Sequence, residues 1–151
     1  MTEYFRFEAD FIESMRCIPM AVRCKLDTCG IKLKLAEWSR FGKEERDQLV
    51  ALPCFSTDEI AAYRHYLQNL VLQHTQSLPD DLAVEVNPAW LQDSQIPESL
   101  QAKTESLGFQ ISLTQWQRLD PLQRFALIKL STPSHESKNF PHALREFGLL
   151  A

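Results

Sequence analysis

The chain carries one pattern twice. Residues 30–52 run Gly-Ile-Lys-Leu-Lys-Leu-Ala-Glu-Trp-Ser-Arg-Phe and then Gly-Lys-Glu-Glu-Arg-Asp-Gln-Leu-Val-Ala-Leu. Residues 108–130 run Gly-Phe-Gln-Ile-Ser-Leu-Thr-Gln-Trp-Gln-Arg-Leu and then Asp-Pro-Leu-Gln-Arg-Phe-Ala-Leu-Ile-Lys-Leu. Overlaid without a gap, Gly30 falls on Gly108, Leu35 on Leu113, Trp38 on Trp116, Arg40 on Arg118, Arg46 on Arg124, Leu49 on Leu127 and Leu52 on Leu130. The pattern returns after 78 residues, about half of the 151-residue chain. Such a pair predicts two similar helical units packed face to face, and a duplicated packing unit is scaffold before it is chemistry.

Local signals place elements around the two copies. Phe7, Phe11, Ile12 and Met15 share helical spacing and predict a first amphipathic helix. A second helix is expected beyond Pro19, which suits a first turn, with Thr28-Cys29-Gly30 as its stop and Gly30 in the left-handed capping position. Ile31–Leu35 alternates apolar and basic residues, and Phe109–Leu113 alternates in the same phase, so the two are candidate partners in one short ribbon. Asp120-Pro121 is a helix start, and the matching helix of the first copy begins near Gly42 or Lys43 and ends before Pro53. Ser56 and Glu59 are spaced as a capping box ahead of a helix that buries Ile60, Tyr63, Leu67, Leu70 and Val71. Residues 77–99, broken by Pro79, Pro88 and Pro97, form a long connection with Trp90 as its anchor. A last helix covers Pro141–Phe147, stopped by Gly148. The expected class is mainly α: one domain over 1–151, with the pseudo-repeats at 30–52 and 108–130 and at most one two-stranded β ribbon.

Hydrophobic and charged contents of 44% and 24% are those of an ordinary globular protein. No apolar run of about 18 residues offers a membrane span. The first residues, Met-Thr-Glu-Tyr-Phe-Arg-Phe-Glu, hold acids where a signal peptide would hold bases, so the cytoplasm and reduced cysteines are expected. Charge is unevenly placed. Residues 16–43 hold seven bases (Arg16, Arg23, Lys25, Lys32, Lys34, Arg40, Lys43) and two acids, whereas residues 44–105 hold eleven acids and three bases. A surface polarised in this way can steer an oppositely charged partner.

No catalytic group set emerges from the residues. Cys17, Cys24, Cys29 and Cys54 are the candidate ligands for a metal or iron–sulfur carrier, although structural metal sites use closer pairs. Cys54 precedes the Ser56 helix start, where a thiolate would be favoured if exposed, but no histidine accompanies it. His135 and Glu136 lie in a polar run that a capped loop explains as well as proton transfer does. His65, His74 and His142 show no ligand spacing. Four glycines provide no phosphate-cradling loop. The repeat has the outline of a DNA-reading helix pair, yet its second helix opens with Glu44, Glu45 and Asp47, which would repel phosphates. Trp38 and Trp116 are expected as equivalent core residues.

Several blocks then resemble one family. Phe7-Glu8-Ala9-Asp10-Phe11, Cys17-Ile18-Pro19-Met20-Ala21-Val22-Arg23, and Lys25-Leu26-Asp27 leading into Gly30-Ile31-Lys32-Leu33 are similar to the nitrate reductase-associated proteins. So are Leu52-Pro53-Cys54, Gln123-Arg124-Phe125-Ala126-Leu127 and His135-Glu136-Ser137-Lys138-Asn139-Phe140. The resemblance spans nearly the whole chain and is weakest over 72–106. It implies an accessory protein of cyanobacterial nitrate assimilation that helps assemble or activate the molybdopterin-dependent, iron–sulfur-containing reductase, without reducing nitrate itself; the residues name no cofactor for this chain. No catalytic residue carries over. The basic segment with Arg16, Arg23, Lys25, Lys32 and Lys34 is the expected docking surface, facing acids of nitrate reductase or the phosphates of its molybdopterin cofactor.

Overall fold

The computed structural model describes residues 4–9, 12, 17–134 and 136–150. Within these the protein is mainly α, with one two-stranded antiparallel ribbon. The chain divides into two compact units, Met1–Glu85 and Val86–Ala151. Phe11 and Met15, on which the expected first helix partly rests, lie outside the described residues; Arg6–Glu8 form a short 3-10 turn.

In the first unit, α1 (Met20–Cys29) follows Pro19, which is the N-cap rather than a first-turn residue. Proline has no side-chain acceptor for the helix's free amides. The buried Glu8 supplies one, its Oε2 accepting from Met20 N at 3.0 Å. Gly30 ends the helix at φ +80°, the left-handed position that its sequence context required. The alternation of residues 31–34 then holds: Ile31 and Leu33 are buried, Lys32 and Lys34 exposed. At Leu35 the chain turns helical instead of remaining extended. Helices α2 (Leu35–Trp38), α3 (Lys43–Ala51) and α4 (Thr57–Thr75) complete the unit around a core that includes Val22, Leu26, Trp38, Phe41, Leu49, Tyr63 and Leu67. The Ser56–Glu59 capping box is present at α4, with Glu59 N to Ser56 Oγ at 3.2 Å and Ser56 N to Glu59 Oε1 at 2.9 Å.

The ribbon does not join the two copies. Strand β1 (Ile31–Lys32) pairs with β2 (Asp80–Asp81), placing Ile31 opposite Asp81 and Lys32 opposite Asp80. Residues 109–112 carry no strand. Alternation alone matched 31–35 to 109–113, but the observed partner brings Asp80 to Lys34 and Asp81 to Arg64, a pairing of charges that hydropathy does not carry.

The second unit holds α5 (Glu98–Ser106), α6 (Leu113–Arg118), α7 (Pro121–Ser131) and α8 (Phe140–Glu146). Hydropathy spacing did not single out α5, because only Leu100 and Thr104 mark its buried face. Helices α6 and α7 start 78 residues after α2 and α3, so both copies of the repeat build the same helix pair. Trp38 and Trp116 are both buried, each in its own unit. Trp90 anchors the Pro-rich connection as expected, meeting Phe125 edge-on with centroids 5.0 Å apart. Burying a large apolar side chain contributes roughly 1.5–3 kcal/mol, so each repeated tryptophan adds to the core of its own unit. The last helix starts at Phe140 and stops at Gly148, φ +77°.

Candidate functional site

The basic segment separates into clamps and an exposed edge. Arg16 lies outside the described residues. Lys25 projects from α1 to the end of α3, where its Nζ donates to the carbonyls of Val50 at 2.5 Å and Leu52 at 2.7 Å. Carbonyls at a helix C-terminus have no partner within the helix, so an ammonium there satisfies them and offsets the helix dipole. That cation also lies 5.7 Å from the centre of the buried Tyr63 ring. Arg23 is half-buried on the same helix. Lys32 and Lys34 are exposed, and Lys34 Nζ stands 3.7 Å from Asp80 Oδ2. The structure thus brings Lys32 and Lys34 together at β1 and assigns Lys25 to a helix end.

Arg64, on α4, was not among the sequence candidates. Its Nη1 donates to the carbonyls of Cys29 at 2.9 Å and Gly30 at 2.8 Å, and its Nη2 meets Asp81 Oδ1 at 2.5 Å. It is one of three bases in an acidic stretch, and that isolation was the available signal. Together Lys32, Lys34, Arg64 and the Gly30 carbonyl form one polar edge. Residues 80–84 lie along it, with Leu82 N donating to Gly30 O at 2.9 Å. Gly30 allows this approach: a Cβ there would stand 2.9 Å from Val84 Cγ2 and 3.0 Å from the Leu82 carbonyl.

The four cysteines are thiols, not halves of disulfides. Burial pushes the Cys29 thiol up to about 11, and burial, with the neighbouring Cys29, pushes Cys54 up to about 12. Cys54 Sγ donates to the Lys25 carbonyl at 3.8 Å. Burial thus favours the protonated thiol at Cys54, against the opposing charge of Lys25. Among the described residues, no three His, Cys, Asp or Glu side chains converge as metal ligands would.

His135 lies outside the described residues, and Glu136 is half-buried in a turn where its amide donates to Ser134 Oγ at 3.2 Å. His74 makes a structural contact, Nε2 to Glu45 Oε1 at 2.8 Å. Among the described residues, no helix is long and apolar enough to cross a membrane.

Fold and site together describe a mainly α protein built on a repeated helix pair, with Lys25 clamping a helix end and Lys32 and Lys34 exposed at the β1 edge. The chain belongs to the conserved nitrate reductase-associated protein family, which it matches over residues 4–147. The family's name indicates association with nitrate reductase. Comparisons with curated proteins and with solved structures each found no match.

Proposed function

We propose that this protein is a non-catalytic accessory factor that binds nitrate reductase and supports its maturation or activity. The family match over residues 4–147 carries this reading. The exposed side chains of Lys32 and Lys34 favour the β1 edge as the docking surface, facing an acidic region of the reductase. Lys25 is committed to Val50 and Leu52, so its substitution would act through stability rather than docking.

Titration against cofactor-free nitrate reductase and against the completed enzyme tests the role. Preference for the cofactor-free form supports maturation, equal binding supports a lasting association, and binding to neither ends the proposal. The double variant Lys32→Glu/Lys34→Glu is expected to bind about tenfold more weakly at low ionic strength, with a shallower salt dependence. An unchanged affinity and salt slope would remove the β1 edge from the interface.

A further inference from the structure

The β1 edge is already occupied by an acidic segment, and that segment belongs to the chain itself. Residues 80–84 add β2 to β1 in antiparallel register, put Asp80 beside Lys34 and Asp81 on Arg64, and bond Leu82 N to the Gly30 carbonyl. We propose that this segment is an internal stand-in for an extended acidic segment of the partner, and that the partner binds by strand exchange, displacing it. The inference deepens the docking surface proposed above and takes the partner's identity from that reading.

Three features of the edge support exchange. The receiving groups are held independently of the segment. Arg64 is fixed by the Cys29 and Gly30 carbonyls, which leaves Nη2 aimed at whatever carboxylate lies alongside. Main-chain bonds to β1 are indifferent to side chains, while the two cations select acids, the division of labour by which an added strand is recognised. The resident segment is also lightly held. Its ladder is two residues long, and the Asp80 and Asp81 side chains are 62% and 78% exposed. Leu78 and Val84 remain 61% and 53% exposed, so of the segment's apolar side chains only the buried Pro79 and the half-buried Leu82 lose much cover when it departs. Finally, Gly30 leaves a side-chain-free track along which any extended backbone can pass.

A tethered segment competes at an effective concentration on the order of millimolar, so a free acidic peptide binds the intact edge poorly. Weakening the tethered copy should therefore expose the edge. The test uses a fluorescent peptide of the sequence Leu-Pro-Asp-Asp-Leu-Ala-Val-Glu-Val, residues 78–86, titrated with the full chain and with its Asp80→Asn/Asp81→Asn variant. The variant is expected to bind the peptide about tenfold more tightly than the wild type, and to exchange its Leu82 amide hydrogen faster. A peptide with lysine at both aspartate positions should bind neither protein. If the Leu82 amide exchanges faster but the peptide does not bind, the edge does not accept acidic strands and the proposal is overturned. Unchanged Leu82 exchange would overturn it too, since the two acids would not be holding the segment.

Cofactor-free nitrate reductase, titrated with the same two proteins, separates this inference from the one beneath it. Equal binding by both would sink exchange and keep the reductase as partner. Peptide binding without reductase binding would keep exchange and remove the reductase.

Discussion

The chain leading into the repeat's first helix is bonded from outside in both copies, by a strand in the first and by a single side chain in the second. In the first copy, Asp80–Asp81 pair with Ile31–Lys32. In the second, the amide of Gln101 takes both backbone groups of Ile111, Nε2 to its carbonyl at 2.9 Å and Oε1 from its amide at 3.3 Å. Buried peptide groups need partners, and either solution provides them. Only the first requires a long piece of chain to lie across the edge. The glycines register the difference: Gly30 is covered by Val84 and Leu82, whereas at Gly108, φ +90°, a Cβ would meet nothing within 4 Å. Two copies of one pattern have thus diverged into a covered edge that can be uncovered and a self-contained unit.

The repeated arginines diverge in the same direction. Arg124 is buried and donates to the carbonyls of Trp116, Trp90 and Gln117 at 3.2, 3.1 and 3.4 Å. Its guanidinium also stands 5.7 Å from the Trp116 ring. Arg46 is half-buried and donates to the Phe41 carbonyl. Replacing Arg124 by methionine leaves the buried bonds to the Trp116 and Trp90 carbonyls unmade and should cost about 3 kcal/mol, against about 1 kcal/mol for Arg46→Met. Urea denaturation of the two variants measures the gap, and equal losses would break the comparison.

A smaller effect is expected at the glycines. Alanine in the left-handed region costs roughly 1–2 kcal/mol by itself, which should be the whole cost of Gly108→Ala. Gly30→Ala adds the clash with Val84 and the Leu82 carbonyl and should lose about 1 kcal/mol more, with faster exchange of the Leu82 amide. Matching losses at both positions would mean that residues 82–84 yield without cost.

The helix caps provide the finest contrast. In the second copy Ser112–Gln115 and Asp120–Gln123 are reciprocal boxes. In the first, Glu37 and Glu45 occupy the glutamine positions and accept from the amides of Lys34 and Gly42, both at 2.8 Å, with no cap side chain answering. The Gly42 amide, and after it His74, hold the Glu45 carboxyl below its usual range, against the opposing effect of burial. A carboxyl lowered on folding stabilises the protein above its unfolded pKa of about 4.5, and that stability fades as pH falls through the folded value. Melting temperatures of wild type and Glu45→Gln should therefore converge as the medium is taken from neutral pH to below about 4. Parallel pH profiles would show that Glu45 contributes no acid-sensitive stability.

Helix starts and stops were legible in the sequence because they depend on a few neighbouring residues. Ser56 with Glu59, Asp120 with Pro121, and Gly30 at its left-handed stop all stand where local chemistry put them. The buried face of α4 was equally legible from its spacing, as were the two equivalent tryptophans from the repeat. The ribbon's partner was not. Pairing β1 with β2 spans about 50 residues and is accompanied by ion pairs from Lys34 and Arg64, whose partners no local spacing names. Nor could composition separate the clamping Lys25 from the exposed Lys32, since a lysine's charge is the same whether it caps a helix or faces water.

By itself, then, the sequence determined most of the helices, several of their caps, the duplicated core positions and the family, all carried by short spacings and residue identity. Only the tertiary structure decided which cations are spent inside the fold, which acids answer them, and that one copy of the repeat is covered by a strand. Those outcomes depend on distances between residues far apart in the chain, where charge and backbone hydrogen bonding act through space.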